Sequence, residues 1–65
     1  MIEFDTGSIE RTIEDGHLRV YMTVLVPDLS ALSFRMASTI PAACMDDVGY
    51  ALEDIQRQVN RMRGL

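Results

Sequence analysis

His17, Cys44, two pairs of carboxylates and a run of arginines are the residues whose types and spacing could do chemistry. His17 is the chain's one histidine and follows the dipeptide Asp15-Gly16, which sets Glu14 across a tight turn from it. A carboxylate that orients an imidazole can make a general base. No nucleophile can be assigned beside the pair, and 65 residues are few for an enclosed substrate pocket, so His17 reads as a surface residue at a turn end. Cys44 precedes an apolar helical pattern and stands near a helix N-terminus, where thiolates are stabilised. The chain holds no second cysteine to resolve an oxidised intermediate, so Cys44 reads as a small buried hydrophobe. His17 and Cys44 cannot supply the three or four ligands of a zinc site, and no cofactor is expected.

The pairs Asp46-Asp47 and Glu53-Asp54 are seven residues apart, which places them on one side of a helix, two turns separated. They are too spread to hold a metal and lack histidine support. A solvated helix face explains them. Together with Glu10 and Glu14 they could also imitate a row of phosphates and occupy a basic channel on another protein. Arg57, Arg61 and Arg63 suit the helix C-terminus, where cations complement the dipole. Three arginines in seven residues could also grip phosphates, but the patch is small and has no aromatic interleaving.

Ten acids oppose six arginines, and there is no lysine. The resulting charge of −4 disfavours the broad basic footprint of non-specific nucleic-acid binding. The first fifteen residues carry five acids against Arg11 alone, the opposite of a signal peptide's start, and no stretch approaches the roughly 18 apolar residues of a membrane span. A lone cysteine suits a reducing compartment, so a cytoplasmic location is expected. A chain this short forms one domain and buries only about 60% of its unfolded surface. With no disulfide available, association is the usual remedy, and a homodimer is the simplest form of it.

The elements that must position these groups follow from periodicity. Ile2 and Phe4 alternate with Glu3 and Asp5 in a short strand, which Thr6-Gly7-Ser8 interrupts as a bulge or turn. Asp15-Gly16 suits a two-residue type I′ turn, so residues 9–26 should form a β-hairpin with Glu14 opposite His17, Glu10 opposite Tyr21 and Ile9 opposite Met22. Ile9, Ile13, Leu18, Val20, Met22, Val24 and Val26 then share one face. Arg11 is the misfit on it, expected at an edge with its guanidinium in water. Tyr21 and Leu25 are large groups on the otherwise polar outer face, where a partner could pack.

Pro27 ends the second strand. Residues 32–40 alternate as a third strand, Leu32, Phe34, Met36 and Ile40 facing one way. The competing reading is a helix over 29–39 capped by Asp28, giving a ββαα order. Pro41 fits a first helical position, so the last helix is expected over residues 42–63 with Gly64 ending it. Its apolar seam is Met45, Val48, Leu52, Ile55, Val59 and Met62. Gly49 inside the seam calls for a reason, such as close backbone contact or a bend.

The expected fold is therefore α+β, a three-stranded antiparallel meander packed by one C-terminal helix. No run of residues matches a catalytic, nucleotide-binding or metal-binding signature. Size, acidity and the poverty of chemistry favour a non-enzymatic protein-binding module, an inhibitor or accessory protein that covers a basic, nucleic-acid-handling surface of a larger protein. Compact proteins of this kind are often carried by phages and mobile elements, an association with size alone. Glu10, Glu14, Tyr21, Leu25, Asp46, Asp47, Glu53 and Asp54 are its expected contacts. The alternative is a homodimeric transcriptional or antitoxin-like regulator that meets DNA through Arg57, Arg61 and Arg63, and an enzyme built on His17 or Cys44 ranks last.

Overall fold

A computed structural model describes residues 2–28 and 33–64. Three antiparallel strands form an open meander in the order β1 (Glu3–Glu14), β2 (His17–Leu25) and β3 (Ser33–Ile40), and one helix, α1 (Asp47–Met62), packs on a single face. The hairpin turn is as the dipeptide demands: Asp15 and Gly16 both have positive φ, at 51° and 77°. From there Glu14 pairs with His17, Ile13 with Leu18, Arg11 with Val20 and Glu10 with Tyr21.

The register then departs from the expected one. Pairing jumps from Glu10 opposite Tyr21 to Asp5 opposite Thr23, so Ile9 does not face Met22 in the ladder and β1 runs through residues 6–9 as one long bulge. Its polar residues repair the gap. The Ser8 hydroxyl accepts from the Thr23 N–H at 2.8 Å and donates to the Asp5 carbonyl at 2.7 Å, while Gly7 N–H donates to the Asp5 carboxylate. The interruption seen in Thr6-Gly7-Ser8 thus lies inside one continuous strand, and Ile9 still reaches the core.

Residues 33–40 are strand, with Met22 opposite Met36 and Val24 opposite Phe34, which settles the ββαα alternative over that span; residues 29–32 lie outside the described part. The inner face of the sheet is the core. Val20, Met22, Val24 and Val26 are buried against Ile40 and against Ala51, Ile55 and Val59 of the helix.

The helix begins five residues later than expected. Pro41 is not its first residue but opens a turn, in which the Cys44 N–H donates to the Pro41 carbonyl at 2.9 Å. Asp46 is the true N-cap, its carboxylate accepting from Gly49 N–H at 2.9 Å. This answers the question of Gly49. A Cβ there would strike the capping carboxylate, its carbon lying 2.9 Å away, so glycine is what lets Asp46 fold over the first turn. The seam shifts accordingly: Met45 lies outside the helix and is fully exposed, Met62 is half exposed, and Ala51 joins Ile55 and Val59 at the centre of the buried stripe. Gly64, at φ 79°, follows the last turn as expected.

Candidate functional site

Because side chains alternate along a strand, burying Val20, Met22, Val24 and Val26 sends His17, Arg19, Tyr21, Thr23 and Leu25 to the opposite face, over which no described element lies. Glu10 and Glu14 from β1 and Arg35 and Thr39 from β3 join them there by register. Tyr21 is central. Its hydroxyl donates to Glu14 at 2.5 Å, and the guanidinium carbons of Arg19 and Arg35 stand 5.7 and 5.9 Å from its ring centroid, within cation–π reach. Arg35 also pairs with Glu10 at 3.0 Å and donates to the Ser8 carbonyl at 3.0 Å, so it spans from β3 across β2 to the bulge of β1. Arg19 donates to the Thr39 hydroxyl.

Each exposed ion pair or cation–π contact is worth on the order of 1 kcal/mol or less, so this lattice orients Tyr21 more than it stabilises the fold. Sequence reasoning gives Arg19 and Arg35 no role. Only the cross-strand register of three strands shows that both reach one ring.

Of the expected carboxylates, Asp47 and Asp54 are half-buried, while Glu10, Glu14, Asp46 and Glu53 are exposed. Asp46 caps the helix, and Asp47 pairs with Arg11 at 2.5 Å; Arg11 lies on the edge strand β1 and is exposed, as expected, and the pairing adds a partner. The bond to Arg11 holds the Asp47 carboxyl below its ordinary value, with burial opposing. Asp54 faces β3, where it accepts from the buried Ser38 hydroxyl at 2.8 Å and from Gln58 at 3.0 Å; Gln58 also donates to the Ala37 carbonyl. Partial burial works against the Asp54 charge, but the bonds from Ser38 and Gln58 and the nearby Arg57 outweigh it and lower its pKa. Glu53 and Glu10 remain exposed, whereas Leu25 and Tyr21 are half-buried.

The arginines are similarly engaged. Arg57 reaches Asp54 at 3.4 Å, and Arg63 pairs with Asp28 at 2.7 Å, an interaction that lowers the Asp28 pKa. Arg61 makes no ion pair among the described residues and is exposed.

His17 and Cys44 do not meet. His17 lines a shallow depression of about 220 Å³ on the outer face with Glu14, Asp15, Arg19 and Thr39, its Nδ1 lying 3.0 Å from the Asp15 carbonyl. Cys44 packs beside Val20, Ile40 and Ala51 on the inner face, its thiol donating to the Asp46 carbonyl. Among the described residues no group of three or more histidines, cysteines or carboxylates is gathered to hold a metal, and no helix is long and apolar enough to cross a membrane. Comparison of the chain with protein-family models, with curated proteins and with solved structures finds no match.

Proposed function

We propose that the chain is a non-enzymatic protein-binding module, an inhibitor or accessory protein of the phage or mobile-element kind, that covers a basic, nucleic-acid-handling surface of a larger protein. The observation that carries this reading is the open outer sheet face, where Arg19, Arg35 and Glu14 hold Tyr21 in one orientation within an acidic chain of net charge −4. A side chain fixed before binding loses little entropy on binding, and exposed acids draw a basic partner by long-range attraction. The DNA-contact reading has less support, since Arg57 and Arg63 are already engaged with Asp54 and Asp28. A homodimer would join through an edge strand, because the helix seam is covered by the chain's own sheet.

The test is capture of partners from the native cell on the immobilised protein, followed by affinity measurements on the purified partner from 0.1 to 1 M salt. Over that range the screening length falls from about 10 Å to about 3 Å. Affinity should fall steeply; affinity indifferent to salt would contradict the reading.

A further inference from the structure

The sheet is open, so β1 and β3 each turn a row of backbone N–H and C=O groups away from β2. Which groups these are follows from the turn. A two-residue hairpin makes Glu14 and His17 a hydrogen-bonded pair, so along β2 the odd-numbered residues bond toward β1 and the even-numbered ones toward β3. The Thr23 N–H, which meets Ser8 of β1, agrees with this. In β3 the groups left facing outward are therefore those of Ser33, Arg35, Ala37 and Thr39, and the Ala37 carbonyl accepts from a helix side chain, Gln58.

The two edges are not equally guarded. β1 carries Glu3, Asp5, Glu10, Arg11 and Glu14 and is broken by its bulge, both of them devices that discourage strand pairing. β3 runs eight residues without a bulge or proline, and Arg35, engaged by Glu10, is its only charge. We propose that β3 pairs with β3 of a second copy, antiparallel about a two-fold axis at Met36. In that register Arg35 stands opposite the partner's Ala37 and Ser33 opposite the partner's Thr39, so all four outward-facing residues join the ladder and no like charges oppose. The same operation on β1, centred on Glu10, Arg11 or Thr12, sets Glu10 on itself, Arg11 on itself or Glu10 on Glu14. A copy of the chain is thus the occupant that the edge itself fits, a self-complementary strand without acids in a chain of net charge −4. Phe34 and Met36, half-buried on the inner face, gain cover from their counterparts. The product is a six-stranded sheet with both helices on one side and both Tyr21 clasps on the other, three strand spacings or roughly 14 Å apart. It makes the docking face proposed above bivalent and does not depend on the charge of what docks there.

Light scattering of the whole chain at about 0.15 M salt, over a concentration series reaching about 1 mM, should show a monomer and dimer in equilibrium. Ala37 lies opposite Tyr21 on the open outer face, so a longer side chain there meets the partner's Arg35 and not the core. Ala37→Lys should weaken the dimer about tenfold, because like charges then oppose twice, and Ala37→Glu should leave it as tight or tighter. Circular dichroism checks that both variants fold. In a mixture of ¹³C-labelled and unlabelled wild-type chains, intermolecular NOEs should join Arg35 of one copy to Ala37 of the other. A monomer throughout, or a dimer indifferent to Ala37→Lys, would overturn the proposal, and equal weakening by the two variants would overturn the register about Met36. Intermolecular NOEs confined to β1 would place the contact on the guarded edge and sink it. Each of these failures leaves the acidic-module reading standing, since that reading rests on the salt dependence of binding to another protein.

Discussion

The two ends of the single core differ in how completely the helix closes them. Toward the helix C-terminus, Met22, Val24 and Val26 meet Ile55 and Val59, with Ile2, Phe4, Phe34, Met36 and Leu52 packed around them. At the hairpin end Ala51 and the half-buried Tyr50 come down from the helix onto Val20 and Ile40, and the apolar row continues outward through Leu18 to Ile13. One end buries large side chains on both sides of the interface. The other sets one buried methyl group and a half-buried Tyr50 against the sheet and ends in an ion pair and a capped first turn. Stability therefore resides at the far end, and the hairpin end is left to present side chains to solvent.

Truncation should expose the asymmetry most strongly. Ile55→Ala removes a fully buried side chain and should cost about 3 kcal/mol, a large part of the stability of so small a domain. Ile13→Ser should fall within about 0.5 kcal/mol of the wild type. Urea denaturation of both variants checks this, and comparable losses would erase the distinction.

The polar link between helix and sheet comes next. Asp54→Ala leaves the buried Ser38 hydroxyl without its acceptor and should cost about 2 kcal/mol. Because the Asp54 pKa is lowered in the folded chain, the charge contributes stability above the ordinary carboxylate value, and that contribution fades as pH falls through the lowered one. Ser38→Ala should accordingly flatten the acid side of the stability profile below about pH 4. A profile unchanged by the substitution would deny the link.

The smallest effect is the most diagnostic of how the hairpin end is built. Gly49→Ala gains about 1 kcal/mol of helix propensity but displaces the Asp46 cap, worth about as much, so the single variant should be nearly neutral. In the Asp46→Ala background the same change should stabilise by about 1 kcal/mol. A thermal double-mutant cycle reads that coupling.

What the sequence disclosed, and what it hid, divides along the range of the interactions. Asp15-Gly16 fixed the hairpin and its first five pairs because turn chemistry is local, and alternation from Phe34 to Ile40 revealed β3. The helix start was misread because Pro41 suits a first helical position as well as it suits a turn, and the cap depends on the missing Cβ of Gly49, three residues beyond Asp46. Ser38 lies in the apolar row as a polar residue whose partner is 16 positions away, and Arg11 finds Asp47 at a separation of 36. Long-range pairing of this kind has no periodicity to announce it. For the same reason the clasp of Arg19 and Arg35 on Tyr21 emerged only with the register of three strands.

Residue-resolved hydrogen exchange of the whole chain tests the division between the two ends most directly. Met22, Val24, Ile55 and Val59 should be protected most strongly, and the strand residues from Arg11 to Leu18 less. Slowest exchange at the hairpin end, or equal protection at the two ends, would contradict it.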